Sequence, residues 1–111
     1  MKITEEFQSI LAFKRYLQEE YPEYTEGNIN LEVLLVKQQS LFKVDVQIDT
    51  SDINRFKITP IWENSGLSRE RFKEMGLYGV YSMGYNYNFL FSEQDKTLTI
   101  FDNGDKILIF S

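Results

Sequence analysis

Carboxylates are the side chains of this sequence that could most readily do chemistry, because its 111 residues contain no histidine and no cysteine. The commonest general base, the activated Ser and Cys nucleophiles and the usual zinc ligands are therefore missing. Paired carboxylates can still cleave a glycosidic bond or hold Mg²⁺. The best group is Asp45, Asp49 and Asp52, but its first two members lie about 13 Å apart along a predicted strand, too far to share one ion.

We therefore predict that these three aspartates form a solvated strand face running into an Asx turn. Residues 102–105, with the sequence DNGD, carry the next pair of carboxylates. They lack the alternating acidic ligands and the distant glutamate of a calcium loop, whereas Asn-Gly favours a tight hairpin. The sequence thus predicts no catalytic residue, no metal site and no cofactor, and we expect a protein that is not an enzyme.

A second kind of chemistry, recognition of a basic surface, is indicated by residues 19–26, where four carboxylates and two tyrosines occur without a Lys or Arg. These residues are Glu19, Glu20, Tyr21, Glu23, Tyr24 and Glu26. Carboxylates steer association with a cationic cleft, and tyrosine supplies anchor area at low entropic cost. The alternative is a solvated helix end and loop. We predict that this segment binds a partner.

The overall charge favours the same class of partner. The sequence carries a net charge of -5, so phosphate backbones and anionic membrane surfaces should repel the molecule. It has no apolar run near 18 residues, and residues 1–10 pass from one lysine to two glutamates without the apolar region of a signal peptide. We expect a cytoplasmic protein that binds neither nucleic acid nor membrane directly. The oligomeric state stays open.

Two helices are predicted to position these residues. Thr4 can cap a first helix that ends before Pro22, with an apolar stripe at helical spacing. Its stripe consists of Phe7, Ile10, Leu11, Phe13, Leu17 and Tyr21. Ser68 can cap a short helix over residues 69–75, and Gly76 can close it in a left-handed conformation. Leu67, Phe72 and Met75 are then available to the core.

The strands follow from apolar runs and from period-two alternation. Residues 31–36 are a short apolar run, and residues 42–49 alternate apolar and polar side chains. Residues 53–62 can return as a third strand, in which Pro60 predicts a sheet edge or an early end. Residues 96–101 and 106–110 flank the Asn-Gly turn.

The clearest strand spans residues 78–92, where six large side chains alternate with small polar ones. They are Tyr81, Met83, Tyr85, Tyr87, Phe89 and Phe91. As core, this row would pack beneath the first helix. Its three tyrosine hydroxyls each need a partner when buried, so part of the row can instead line a cleft or reach the surface at a sheet end.

These elements predict one α+β domain over residues 1–111, with the order α-β-β-β-α-β-β-β. About six strands form an antiparallel sheet, and the N-terminal helix packs on one of its faces. The leading functional hypothesis is an inhibitor or immunity-type protein, the antitoxin of a bacterial toxin such as a nuclease, which occludes the toxin's basic active site. The alternatives are a small-ligand-binding domain, with a tyrosine-lined pocket between the first helix and the sheet, and a phage or secretion accessory subunit that pairs through an exposed sheet edge.

Overall fold

The computed structural model describes residues 2–21, 27–49, 56–77, 79–82 and 87–111, which form two helices and one antiparallel sheet of seven strands. The helices are α1 (Lys2–Glu20) and α2 (Arg69–Glu74). The strands are β1 (Gly27–Leu35), β2 (Ser40–Asp49), β3 (Lys57–Ile61), β4 (Tyr81–Ser82), β5 (Tyr87–Ser92), β6 (Thr97–Asp102) and β7 (Asp105–Phe110). The predicted α+β class is confirmed, with seven strands where about six were predicted.

The sheet curls until its two edges approach each other. Its strand order is β4-β3-β2-β1-β7-β6-β5, so β4 and β5 are the outermost strands. Nevertheless, the ring centroids of Tyr81 in β4 and Tyr87 in β5 are 5.0 Å apart. Phe56, which precedes β3, lies 5.3 Å from Phe89 of β5 by the same measure. The accumulated twist of the strands therefore produces a nearly closed barrel.

Inward-facing side chains alternate along each strand and form the core. The alternation predicted for β2 is confirmed, because Val44, Val46 and Ile48 are buried whereas Lys43 and Gln47 are exposed. The other strands contribute Ile29, Leu31, Val33, Leu35, Ile58, Phe89, Phe91, Leu98, Ile100, Leu108 and Phe110. Successive strand residues point to opposite faces of the sheet, so the bulky apolar side chains at alternate positions all lie on its concave face.

Helix α1 packs on the inner face of the sheet beside β5. Ile10, Phe13 and Leu17 are buried at spacings of three and four residues, which places them on one side of the helix. The ring of Phe13 lies 5.2 Å from that of Phe91 and 6.1 Å from that of Phe56. The predicted position of this helix on one face of the sheet is confirmed.

The helix also covers the free edge of the sheet. The hydroxyl of Ser9 accepts a hydrogen bond from the N–H of Phe91, which is turned away from the neighbouring strand β6. The buried stripe is narrower than predicted, because Leu11 and Tyr21 are exposed. A helix lying along a sheet edge buries only the side chains directed at that edge, so the outer members of a broad stripe remain in solvent.

Helix α2 has both predicted end signals. The hydroxyl of Ser68 accepts a hydrogen bond from the N–H of Arg71 at 3.1 Å, and Gly76 has a φ of 77°. Phe72 and Met75 are buried against the sheet. A capping hydroxyl and a left-handed glycine thus define a helix of six residues.

Strand β3 is only partly covered by neighbours. It pairs with β2 along its whole length, but β4 reaches only Lys57 and Ile58. Pro60 therefore lies where β3 has a single described neighbour, as predicted for a residue without an N–H. Residues 53–55 of the predicted strand lie outside the described part of the chain.

The strand predicted over residues 78–92 begins later than predicted, because residues 79 and 80 precede β4, and it is described only as β4 and β5. Tyr81 belongs to β4 and pairs with β3, whereas Tyr87 belongs to β5 and pairs with β6. Residues 83–86, including Tyr85, lie outside the described residues. A period-two pattern indicates which face of a sheet a side chain occupies, but not which strand lies beside it. Two short strands at opposite edges of a curled sheet can both point inward and share one pattern.

The predicted C-terminal meander is confirmed, since β5 pairs with β6 and β6 with β7. Asn103 and Gly104 have φ angles of 51° and 90° between the last two strands. Positive φ at both central residues is characteristic of the tight hairpin turn that Asn-Gly favours.

Candidate functional site

The C-terminal turn of α1 carries the first three predicted partner-binding residues. Glu19 and Glu20 are exposed, and this turn contains no basic residue. Tyr21 is 36% exposed, and its N–H donates to the carbonyl of Leu17 at 2.8 Å. The remaining predicted members, Glu23, Tyr24 and Glu26, lie outside the described residues. The side chains that the structure does describe are thus presented together at one end of the helix.

The turn between β5 and β6 brings further carboxylates to this end. Glu93 and Glu19 line the same shallow hollow, of about 110 Å³. Asp95 lies in the same turn, where its N–H donates to the Ser92 hydroxyl at 3.2 Å. Neither of these turn carboxylates, nor Glu19 or Glu20, forms an ion pair with another described residue. We call Glu19, Glu20, Tyr21, Glu93 and Asp95 the acidic end.

Two cations line the same hollow and balance the charges of Glu19 and Glu93 there, so the excess negative charge of the acidic end comes from Glu20 and Asp95. Arg15 and Lys96 line it, and the Lys96 ammonium lies 5.4 Å from the centroid of the Tyr16 ring. Burial raises the pKa of the Tyr16 hydroxyl, and nearby Tyr21 and Glu20 raise it further.

A cavity of about 290 Å³ opens at the other end of β5 and β6. Its apolar lining includes Leu35, Met75 and Leu108, all buried. Tyr81 and Tyr87 also line it. Its charged and polar side chains are Lys37, Gln38 and Asp102. We call this space the tyrosine cavity.

The two described tyrosines of the predicted row both line the cavity, but they differ in burial. Tyr81 is only 6% exposed, and its hydroxyl donates to the carbonyl of Gly76. Burial, followed by the charges of Tyr87 and Asp102, raises the pKa of Tyr81 to about 12. Tyr87 is half-buried. One predicted buried hydroxyl therefore has its partner, while the second ring stands at an opening.

The position of this cavity differs from that predicted for a ligand pocket. The first helix was expected to enclose it, but no residue of α1 lines it, and the end of α2 contributes instead. Sequence reasoning treated Asp102 as part of a turn and did not select Lys37. The sequence did indicate the position of Asp102, because it follows Leu98 and Ile100 at a spacing of two residues along β6 and therefore points to the same inner face.

A row of four aliphatic side chains and one threonine crosses the outer face of the sheet. Direct cross-strand pairs connect, in order, Leu41, Leu34, Ile109, Thr99 and Leu90. The two outermost side chains are 59% and 47% exposed, respectively. This row extends about 19 Å over four strand spacings. The alternative of an assembly subunit depended on an exposed sheet edge. In the described part of the chain, however, the rings of Tyr81 and Tyr87 bring the two edges close together, and Ser9 of α1 covers part of β5.

A further hollow, of about 310 Å³, lies beside the uncovered part of β3. Trp62 and Arg69 line it, and the Arg69 guanidinium carbon is 4.7 Å from the centroid of the Trp62 ring. The indole N–H donates to the carbonyl of Leu67 at 2.9 Å. These contacts hold the ring and the guanidinium against each other, which is the arrangement of a cation–π pair.

The aspartates considered for chemistry lie apart from these hollows. Asp45 accepts a hydrogen bond from the side-chain amide of Asn30 at 3.1 Å across β1 and β2. Asp49 ends β2, and Asp52 lies outside the described residues. Within the described ranges, no three potential metal-ligating side chains of Asp, Glu, His or Cys form a group.

The sequence matches no protein-family model, and no curated protein and no solved structure matches the chain. In the described part of the chain, neither helix is long and apolar enough to cross a membrane.

Proposed function

We propose that this chain is a small acidic protein-binding protein, an inhibitor or immunity-type protein that neutralises a cognate toxin such as a nuclease by covering its basic active site. The observation that carries the proposal is the acidic end. There, α1 and the β5–β6 turn present Glu19, Glu20, Glu93 and Asp95 without an ion pair to another described residue, next to an exposed Tyr21. In this proposal the protein acts in the cytoplasm.

The electrostatics of the acidic end suit a basic partner. Complementary charge raises the rate of association by steering the encounter, and it disfavours partners of the same sign. Glu19 and Glu20 lie at the negative end of the helix dipole, so they lower the stability of α1. A binding surface explains why such side chains would stand there, since it would use their charge.

Tyr21 gives the same surface an apolar anchor. Its exposed ring adjoins the carboxylates, and tyrosine is among the residues that contribute most to binding energy at interfaces. In the proposed complex the carboxylates govern the rate of association, and the tyrosine governs the rate of dissociation.

The test uses purified products of the genes that neighbour this one, titrated against the protein by calorimetry and stopped-flow kinetics. The test variant combines Glu19→Lys, Glu20→Lys and Glu93→Lys. The control combines Glu63→Lys, Glu70→Lys and Asp105→Lys, which are exposed elsewhere and give the same net charge. We expect the test variant to slow association with its partner at least about tenfold and the control less than about twofold.

A second variant, Tyr21→Ala, should raise the dissociation rate without slowing association. The proposal fails if no neighbouring gene product binds the protein. It also fails if the two triple variants slow association equally, because net charge rather than the acidic end would then account for the effect.

A second candidate function, small-molecule binding, is favoured by the tyrosine cavity. Its volume, about 290 Å³, is near the lower limit of ligand pockets, and it combines apolar walls with a few polar groups. The test is methyl NMR of the protein with mixtures of neutral, cationic and anionic aromatic fragments. Shifts confined to the methyl groups of Leu35, Met75 and Leu108 would support this function, and their absence at millimolar fragment would exclude it.

A further inference from the structure

The tyrosine cavity has the size and walls of a site for a small aromatic compound. Its volume of about 290 Å³ equals that of roughly ten water molecules, which suits a ligand of about ten non-hydrogen atoms. Leu35 and Leu108 supply an apolar base, and Met75 adds a flexible thioether. Transfer of apolar surface from water to this base would favour binding of a ring.

One half-buried carboxylate, that of Asp102, lines the cavity. Asp102 lies on the inward phase of β6 and is the direct cross-strand partner of Tyr87. It forms no ion pair with another described residue. The hydroxyl of Tyr81 is directed to the carbonyl of Gly76, so that hydrogen bond does not satisfy the carboxylate. A partly desolvated carboxylate is stabilised by a cation brought next to it.

The surroundings of Asp102 strengthen this preference for positive charge. Asp105, its partner across the hairpin, is exposed and adds a second negative charge. Lys37 also lines the cavity, but its side chain is exposed and solvent screens its charge more strongly. The negative charge of Asp102 is felt as far as Tyr81, because it contributes to the raised pKa of that hydroxyl.

The two tyrosine rings provide a second attraction for a cation. Their planes are inclined at 74° and their centroids are 5.0 Å apart, so one ring turns its edge to the other. Ring faces attract an ammonium group within about 6 Å. Aromatic surface and a carboxylate therefore line the same small space.

We propose that the tyrosine cavity binds a small organic ammonium ion, with an aryl or alkyl body on Leu35 and Leu108 and with its cationic group between Asp102 and the rings of Tyr81 and Tyr87. This inference rests on the second candidate function, small-molecule binding, and names its ligand class.

The probes are three compounds of similar size: phenethylammonium, the neutral phenethyl alcohol and the anionic hydrocinnamate. Each is titrated into the full chain and followed by NMR of the methyl groups of Leu35, Met75 and Leu108. We expect phenethylammonium to bind at least about tenfold more tightly than either of the others. Asp102→Asn should abolish this preference. Asp105→Asn removes the same charge from the cross-strand partner of Asp102, and it should weaken binding less than about twofold.

Thermal unfolding of both variants establishes that each is folded before titration. Equal binding of the alcohol and the ammonium would overturn the ligand class while leaving small-molecule binding intact. Stronger binding of hydrocinnamate would overturn it in favour of Lys37. If none of the three binds at millimolar concentration, the ligand class and small-molecule binding fail together. Equal effects of the two Asp→Asn variants would overturn the role given to Asp102.

Discussion

The two ends of the β5–β6 hairpin differ in how they use aromatic side chains. At the acidic end, Phe91 packs against Phe13 and Tyr16 with ring centroids 5.2 and 5.4 Å away. At the other end, about 13 Å along β5, Tyr87 contacts Tyr81 and then faces the tyrosine cavity. The carboxylates of the acidic end therefore lie outside a filled aromatic core. At the opposite end, the polar side chains surround the tyrosine cavity.

This difference separates stability from binding. A filled aromatic cluster stabilises the fold through its contacts, and the carboxylates above it are free to act on a partner without being buried. The tyrosines that line the cavity make fewer van der Waals contacts on that side, and a bound ligand can supply the missing contacts. Variants at matched positions of the two ends can test this comparison.

The largest effect is expected from truncation of Phe91. Phe91→Ala should lower the free energy of unfolding by about 3–5 kcal/mol, because it opens a cavity between α1 and the sheet. Tyr87→Ala should cost less than about half as much, since one side of its half-buried ring already faces a hollow. Urea denaturation of both variants measures the difference. Equal losses would show that the cavity end is packed as firmly as the acidic end.

An intermediate effect is expected at Tyr81, the tyrosine that belongs to the core. Tyr81→Phe removes the hydrogen bond to Gly76 and should cost about 1 kcal/mol at pH 8. The folded state raises the Tyr81 pKa from 10.0 to about 12, so the unfolded chain loses this proton first as the pH rises. The advantage of about 1 kcal/mol over phenylalanine is complete below pH 10. It should fall as the pH rises from 10 to 12, by up to about 1.4 kcal/mol per pH unit, so that the natural chain becomes the less stable of the two near pH 12.

The phenylalanine variant lacks this hydroxyl but retains the other tyrosines and the lysines. Its difference from the natural chain, measured by urea denaturation from pH 8 to pH 12, therefore isolates Tyr81. A difference that stays constant over this range would mean that the hydroxyl is solvated in the folded protein.

The smallest effect is expected at the acidic end. Glu19→Gln combined with Glu20→Gln should raise the free energy of unfolding by about 0.3–1 kcal/mol at low salt, because it removes negative charge from the C-terminus of α1. Added salt should diminish the gain. Thermal unfolding at low and high ionic strength measures it. A loss of stability instead would indicate that these carboxylates support the fold, and that no binding role is needed to explain them.

Several elements could be predicted because their signals are local. Ser68 and Gly76 delimit α2, and Asn103-Gly104 sets the last hairpin, since capping hydrogen bonds and positive φ angles depend on residues close in sequence. For the same reason the exposed carboxylates at the end of α1 could be found. Glu93 and Asp95 could not be added to them, because these join the acidic end through the packing of α1 on β5.

The tyrosine-rich segment shows where local pattern ceases to decide. Its alternation assigned Tyr81 and Tyr87 to the inside of the sheet, but it did not show that Tyr81 pairs with β3 and Tyr87 with β6. Whether a ring is core or cavity wall depends on what lies opposite it. For Tyr81 this is a carbonyl of α2's end, and for Tyr87 it is Asp102 of β6.

The sequence by itself determined the α+β class, the ends of α2, the strand residues that face inward and the acidic character of the surface, because each follows from residue type and short-range spacing. The start of α1 was predicted wrongly, since this helix begins at Lys2 and not after Thr4. Only the tertiary structure decided how far the sheet curls, and therefore which residues meet at its two ends. Lys37, Met75, Tyr81, Tyr87 and Asp102 come from separate segments of the chain. Curvature accumulates over seven strands, so no single segment encodes the cavity that these residues line.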